Sequence, residues 1–141
     1  MPNNAQIELA KYRLAKSGEC IAAAENLLSN NLLSHSVNRS YYAIFHLTRA
    51  VLALEGVDFK KHSAVIAYFQ QHYVKTGIFD RKYSDYIKEA FSIRADSDYE
   101  DFYVVSKEDA EEQISHAKQF LNAVEDYMVT KAQIKTETSN A

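Results

Sequence analysis

The sequence has very few of the residues that make tight turns, with three glycines and one proline among 141 residues. Because glycine and proline mark most chain reversals, their scarcity predicts long helices rather than many short strands. A single cysteine, Cys20, excludes an internal disulfide, and we expect a reduced, cytoplasmic setting. No apolar run reaches the roughly 18 residues of a membrane span, and the first residues lack a signal-peptide core, so no membrane association is expected.

What the sequence does contain is helical periodicity. Hydrophobic residues make up 47% and charged residues 25% of the chain, which is typical of one globular domain. Apolar side chains recur every three or four positions in five segments. These segments are residues 5–29, a helix capped by Ser34 or Ser36 and ending at Leu54, a helix from Ser63 to Gly77, residues 79–95, and a helix starting at a Ser106–Asp109 capping box and running to Met128.

We therefore predict an all-α fold, an antiparallel bundle of about five helices joined by short loops. The bundle is expected to occupy residues 1–132. Apolar periodicity stops after that, and residues 133–141 are predicted to form a disordered tail.

The stretch NRSYYAIFH, residues 38–46, places an arginine and a histidine seven positions apart in an aromatic run. At about 100° per residue this separation is within about 20° of two full turns, so both side chains share one helix face. Tyr42 lies between Arg39 and His46. The flanking positions are small (Ala43, Ala50 and Ala53), and the opposite face carries the apolar seam (Val37, Tyr41, Ile44, Thr48 and Val51).

An Arg, Tyr and His face suits chemistry on phosphate. Arginine presents a rigid fork of donors that matches a phosphate group, and histidine exchanges a proton near neutral pH. RNA carries its own nucleophile, the 2′-OH, so cleavage needs a base, an acid and positive charge but no metal or other cofactor. One histidine cannot be base and acid in the same step, whereas two copies across a two-fold axis can. This predicts a homodimer that docks through the alanine-rich face.

Two other interpretations of the face remain open from spacing alone. The same side chains could contact a phosphate or nucleotide without chemistry. Alternatively, Arg39 could pair with an acid of another helix and His46 could be a hydrogen-bonded core histidine.

Three stretches resemble the HEPN domain (higher eukaryotes and prokaryotes nucleotide-binding), in its small stand-alone prokaryotic branch. They are SVNRSYYAIFHLTRAVLALEG, KKHSAVIAYFQQHYVKTG and IRADSDYEDFYVVSKEDAEEQISHAKQFLNAV, and the resemblance spans roughly residues 5–130. It implies a dimeric helical bundle. In active members, an Arg and a His separated by four to six residues form a metal-independent endoribonuclease site facing its symmetry mate.

Applied to this chain, the resemblance implies that Arg39 holds the scissile phosphate and His46 acts as base or acid, while Asn38 and Tyr42 orient or stack the substrate. Many such proteins are toxins neutralised by a minimal nucleotidyltransferase, and others bind nucleotides or RNA without cleavage. The chain departs from the pattern at two positions. Ser40 follows the arginine where members often carry Asn, Asp or His, and Thr48 stands where some toxins have a tyrosine that the partner modifies.

The remaining polar residues give weaker signals. Arg94 is expected to pair with one of the acids in the following link, residues 96–101, or to bind the last carbonyls of its helix. The cluster Lys60-Lys61-His62 is expected to be solvated, with RNA contact as the alternative. The spacing of His35, His62, His72 and His116 does not match a zinc motif, so no metal site is predicted.

Overall fold

The computed structural model describes residues 1–130, 133 and 134. Over these residues the chain forms five α-helices and no strand, which confirms the predicted all-α bundle. The helices are α1 (Asn4–Ser29), α2 (Leu33–Ala53), α3 (His62–Phe69, continued by a π-helical turn at Gln70–Val74), α4 (Arg81–Tyr99) and α5 (Lys107–Thr130). In this part of the chain, no helix combines the length and apolar composition needed to cross a membrane.

The first two helices form an antiparallel hairpin. A capping box starts α1, where Asn3 Oδ1 accepts from the Gln6 backbone N–H at 2.8 Å and Gln6 Oε1 accepts from the Asn3 N–H at 3.0 Å. The connection after Ser29 is short, with Asn31 in the left-handed region at φ 60°. Helix α2 then packs against α1 along its length and also contacts α3, α4 and α5, so α2 is the central helix of the bundle.

Two of the predicted helix starts are wrong in detail. Helix α2 begins at Leu33 without a side-chain cap, and Ser36 is instead buried, donating its hydroxyl to Ala24 O at 2.8 Å. Helix α3 begins at His62, and Ser63 does not cap it. Near both starts a residue contacts another helix: Ser36 bonds to α1, and His62 stacks on Phe45 of α2. Tertiary packing of this kind supports a helix end that has no side-chain cap. The Ser106 cap is confirmed, because its Oγ accepts from the Asp109 N–H at 3.0 Å.

The acidic link predicted at residues 96–101 is mostly helix. Helix α4 continues to Tyr99, and Asp98 pairs with Arg94 one turn earlier at 3.0 Å. An Arg–Asp pair at this spacing supports the helix, so the acids extend α4. The open loop between α4 and α5 is therefore shorter than expected.

The apolar seams of the helices meet in one main core. Its largest fully buried side chains include Tyr41, Phe69, Tyr73 and Phe120. Of the predicted tail at residues 133–141, the structure describes Gln133 and Ile134. Ile134 is buried against this core, and its N–H donates to Met128 O at 2.7 Å. The rest of that prediction, residues 135–141, lies outside the described residues.

Candidate functional site

Helix α2 exposes only a narrow line of side chains beyond its first turn. Thirteen of its residues are buried, and the partly exposed ones after residue 37 all lie on one face. We call this line the α2 polar stripe: Asn38, Arg39, Tyr42, His46 and Arg49. The sequence prediction that Arg39, Tyr42 and His46 share one face agrees with this arrangement. Asn38 and Arg49 extend the line at its two ends.

The alanines beside the stripe do not form an open docking face. Ala43, Ala50 and Ala53 are 0%, 0% and 2% exposed. Their small side chains let neighbouring helices of the same chain pack closely on α2. The prediction that a partner docks through the alanine face is therefore wrong, and beyond the first turn of α2 a partner can reach this helix only at the α2 polar stripe.

Arg39 carries a positive charge that no acid of the described part of the chain neutralises. Its Nε and Nη2 both donate to Asn38 Oδ1, at 3.3 and 2.9 Å, and its Cζ lies 4.9 Å from the centre of the Tyr42 ring. Within residues 1–130, 133 and 134, no carboxylate lies within ion-pair distance of it. An arginine held by a neutral amide and an aromatic face keeps its charge available for an anion.

His46 is half-buried, and its ring centre lies 6.4 Å from that of Tyr42. Burial lowers the pKa of His46, and the positive charges of Arg49, Lys16, Arg13 and Arg39 lower it further. Neutral imidazole is therefore the favoured form near pH 7, as a general base requires. None of the hydrogen bonds found among the described residues occupies a ring nitrogen of His46.

Helix α4 fixes the other side of Tyr42. Arg94 Nη2 donates to Tyr42 Oη at 3.1 Å, while Arg94 Nε lies 3.0 Å from Asp98 Oδ2. The same carboxylate oxygen accepts from Asn38 Nδ2 at 3.4 Å. Arg94 is thus paired with an acid, which is one of the two contacts that the sequence predicts for it. It also orients Tyr42 of the stripe, which the sequence did not indicate.

A hydrogen-bonded network around Asp58 holds Arg49, at the C-terminal end of the stripe. Asp58 Oδ2 lies 2.8 Å from Arg49 Nη2 and 3.2 Å from Arg13 Nη2, and Arg13 also donates to Arg49 O at 3.0 Å. Burial alone would raise the pKa of the Asp58 carboxyl. The hydrogen bonds from Arg49 and the Phe59 N–H, with the two arginine charges, outweigh burial and lower it. Arg49 is therefore a paired cation, unlike Arg39.

A groove opens beside this network, and a second histidine lies in it. The groove has a volume of about 310 Å³. His62 stacks on Phe45 with ring centres 3.9 Å apart, and its Nδ1 is hydrogen-bonded to Tyr41 Oη at 2.6 Å. Burial lowers the pKa of His62, followed by the charges of Arg94 and Arg49. The groove is lined by Phe45, Arg49, Asp58, Phe59, Lys60 and His62.

Sequence reasoning missed the contacts of four groups in or beside the stripe: Arg13, Arg49, Asp58 and His62. The sequence predicts a solvated His62 beside its two lysines, whereas the structure packs it among aromatic rings. Arg13 is 7% exposed despite its charge. A signal for it existed, because position 13 is three residues after Ala10 and four before Ser17, both in the seam of α1, and this spacing puts it on the same face. The acid that partners it, 45 residues away, could not be read from spacing.

The two departures from the resembled pattern both point into the bundle. Ser40 and Thr48 are 0% exposed, and Thr48 Oγ1 donates to Ile44 O at 2.9 Å. A side chain in this position is closed to a modifying enzyme. Thr48 therefore serves packing and a helix-internal hydrogen bond.

Comparison with known proteins adds an independent observation. The HEPN domain profile matches residues 10–127. A Methanocaldococcus jannaschii protein named "Putative toxin" is 32% identical over 133 residues, covering 94% of this chain and 90% of that protein. A Thermotoga maritima "UPF0332 protein" is 34% identical over 122 residues, covering 86% and 92%. A second M. jannaschii "Putative toxin" is 33% identical over 106 residues, covering 75% and 78%.

Proposed function

Because this chain belongs to the HEPN domain family, we propose that it is a toxin-type, metal-independent endoribonuclease with a composite Arg39 and His46 site at a homodimer interface. One observation carries the proposal. The exposed line of the central helix consists of polar side chains suited to phosphate chemistry, and beyond its first turn the rest of this helix is buried. Relatives named as toxins support the biological class.

The reaction assigns one task to each group. Arg39 binds the scissile phosphate and offsets the charge that builds up in the transition state. His46 of one protomer, neutral because its pKa is lowered, takes the proton from the 2′-OH. The oxygen attacks phosphorus, and the symmetry-related histidine, in its protonated form, gives a proton to the leaving 5′-oxygen. The products are a 2′,3′-cyclic phosphate end and a 5′-hydroxyl end.

Tyr42 and Asn38 position the substrate, Tyr42 by direct contact and Asn38 through Arg39. The Tyr42 ring is held by Arg94 on its hydroxyl and by Arg39 over its face, so it is a rigid platform for a base. Asn38 aims the Arg39 guanidinium through two hydrogen bonds. Both roles need the α2 polar stripe to face a groove between two protomers.

A second function has an observation in its favour. His46 lacks an orienting hydrogen bond from the described residues, and catalytic histidines are usually held by one. Under this alternative, the chain is a dimer that binds a nucleotide or RNA without cleaving it and partners a minimal nucleotidyltransferase. Arg39 and Tyr42 would then bind as proposed, and His46 would only contact the ligand.

An RNase assay separates the two. Tag-free protein is incubated with labelled oligoribonucleotides in EDTA, together with Arg39→Gln and His46→Gln and the control variants Arg81→Gln and His72→Gln, which change exposed residues away from the stripe. We expect cleavage to 2′,3′-cyclic ends by wild type and both controls, and a loss of at least about 100-fold in the two site variants. Binding without cleavage by wild type supports the alternative.

Mixed dimers test whether the site is composite. Wild-type and His46→Gln chains with different tags are co-expressed, and the mixed dimer is purified by tandem affinity. If two histidines serve one reaction, the mixed dimer falls to a few percent of wild-type activity. If each chain acts alone, it keeps about half, a result that contradicts the composite site and leaves the nuclease assignment intact.

A further inference from the structure

A second group of polar side chains lies between α4 and α5, on residues that the proposed RNA site does not use. Glu89 of α4 and Glu112 and His116 of α5 each offer one ligand atom, and these atoms lie within 4.8 Å of one another. Glu112 and His116 are one turn apart, so both project from the same face of α5. Carboxylates and an imidazole converging from neighbouring helices are the donors that metal sites in helical bundles use.

Neighbouring side chains hold the donors in place. Glu89 Oε1 accepts from Gln113 Nε2 at 2.8 Å. The His116 ring stacks on Tyr86 with centres 3.8 Å apart and planes 5° from parallel, and its Nε2 lies 3.5 Å from Glu112 Oε1. Such supporting contacts are what orient metal ligands in known sites. The cluster is therefore already close to one arrangement before any ion binds.

Two buried atoms beside the cluster lack a partner among the described residues. Gln113 is 1% exposed, and its Oε1 accepts no hydrogen bond although its amide reaches Glu89. His116 Nδ1 is likewise buried and unpaired, on a side chain 12% exposed. Buried polar atoms are rarely left without partners because this costs free energy. Gln113 is hydrogen-bonded to Glu89 and His116 is itself one of the three donors, so both unpaired atoms are on side chains that belong to this cluster or contact it.

We propose that Glu89, Glu112 and His116 bind a zinc ion, or a similar divalent transition metal, that fastens α4 to α5. An imidazole with two carboxylates suits Zn²⁺, whereas Mg²⁺ and Ca²⁺ prefer oxygen donors alone. Ligand atoms at about 2.0–2.2 Å from a tetrahedral zinc are about 3.4 Å apart. His116 Nε2 and Glu112 Oε1 are 3.5 Å apart, and all three ligand atoms lie within 4.8 Å of one another. The remaining adjustment falls to Glu89 and Glu112, which are both exposed.

This inference does not depend on the ribonuclease proposal, because the cluster supplies none of the groups given a task in that reaction. It also differs from the expectation of no metal site, which considered only the spacing between histidines. The donor set combines one histidine with carboxylates of two helices, and Glu89 is 27 residues from His116 in the sequence. Only the packing of α4 on α5 brings them together.

The test uses the full-length, tag-free chain after EDTA treatment and dialysis. Zinc chloride is titrated by calorimetry, and the melting temperature is followed with and without zinc. We expect one zinc per chain and a rise of about 5 °C or more once free zinc exceeds Kd by about 100-fold. His116→Gln and Glu89→Gln should each weaken binding at least about 10-fold and remove most of the rise.

His72→Gln and Cys20→Ser are the matched controls. His72 also stacks on a tyrosine, Tyr68, with ring centres 4.1 Å apart, but lies outside the cluster. Both controls should bind zinc as wild type does. The proposal fails if wild type binds no zinc stoichiometrically, or if either control loses binding as much as the cluster variants. Should His116→Gln not fold, Glu89→Gln decides, because Glu89 is exposed and the new amide can still accept from Gln113.

Discussion

At the scale of single residues, the arginines near the α2 polar stripe differ in how their charge is balanced. Arg49 and Arg94 each face a carboxylate at 3.0 Å or less. Among the described residues, Arg39 contacts the amide oxygen of Asn38 and the ring of Tyr42 and forms no ion pair with a carboxylate. A paired arginine has to give up its acid to bind phosphate, whereas Arg39 does not, and this difference supports the proposed role of Arg39 as the phosphate-binding residue.

Asn38→Asp tests that reasoning directly. The new carboxylate would replace an amide oxygen 2.9 Å from Arg39 Nη2, and it would also lie beside Asp98. The arginine charge would be neutralised, so we expect RNA affinity to fall about 10-fold, measured by fluorescence anisotropy in the His46→Gln background. Asn122→Asp adds the same charge at an exposed position of α5 and should change affinity by less than about twofold. Equal losses in both variants would mean that net charge alone matters.

The pH profile of cleavage follows from His46. Burial lowers the pKa of this histidine below its ordinary value of 6.5, and the nearby arginines and Lys16 add to the effect. The proposed reaction needs one neutral and one protonated copy, so log(kcat/KM) should form a bell whose maximum lies below pH 6.5. A plateau that continues above pH 7 would show instead that His46 is needed only in its neutral form.

At the scale of elements, the sequence predicted the helices well and their ends less well. Each helix has an apolar seam repeating every three or four residues, a signal carried by many positions at once. A helix end depends on one or two residues, and Ser36 and Ser63 resemble caps without serving as such. The shared face of the stripe could be predicted for the same reason as the helices, because Arg39, Tyr42 and His46 lie on one helix.

What the sequence could not supply was contact between helices. Small residues permit close approach by any neighbour, so the alanines of α2 predict a docking face without saying whose. In the structure the neighbours are helices of the same chain. The partners of Asn38 and Tyr42 on α4 are 52 to 60 residues away. The periodicity of one helix carries no information about which residues of another helix its side chains contact.

The start of α4 gives a prediction at this scale. Asp80 Oδ1 accepts from the Lys82 N–H at 2.9 Å, whereas Ser63 makes no such bond at the start of α3. Asp80→Ala should therefore lower the free energy of unfolding by about 1 kcal/mol. Ser63→Ala, at an exposed position, should change it by less than about 0.5 kcal/mol. Urea unfolding of the two variants and wild type would show the difference, and a comparable loss in both would contradict the assigned caps.

At the scale of the whole molecule, the central position of α2 couples the proposed site to the stability of the bundle. Helix α2 contacts all four other helices. The stripe is therefore a surface of the same helix that organises the core. His46 on α2 and His62 at the start of α3 both lie near Tyr42 and are partly buried. Protonation of either should therefore change the stability of the fold as well as the binding of a substrate.

The pH dependence of stability is the consequence. Burial is the largest cause that lowers the pKa of His46 and of His62, and nearby arginines add to it. The unfolded chain, with histidine pKa values near 6.5, then binds protons more readily than the folded chain. The stabilisation is fully present above about pH 6.5 and is lost as pH falls from there through the lowered folded-state values. Carboxylates such as Asp58, whose pKa is lowered from 3.8, act only at lower pH.

We therefore expect the free energy of unfolding in urea to decline between pH 7.5 and 5.0, at one fixed protein concentration. The decline should be smaller in His46→Gln, smaller in His62→Gln, and smallest in the double variant, because each glutamine removes a group that the unfolded state protonates first. His72→Gln controls for the loss of an exposed histidine. If the double variant declines in parallel with wild type, the two buried histidines do not govern stability in this range.

Binding of RNA or a phosphate analogue at Arg39 should also raise the pKa of His46, because the bound anion favours the protonated imidazole. The affinity of wild type for this ligand should therefore increase as the pH falls from 7.5 to 5.0, and the affinity of His46→Gln should not.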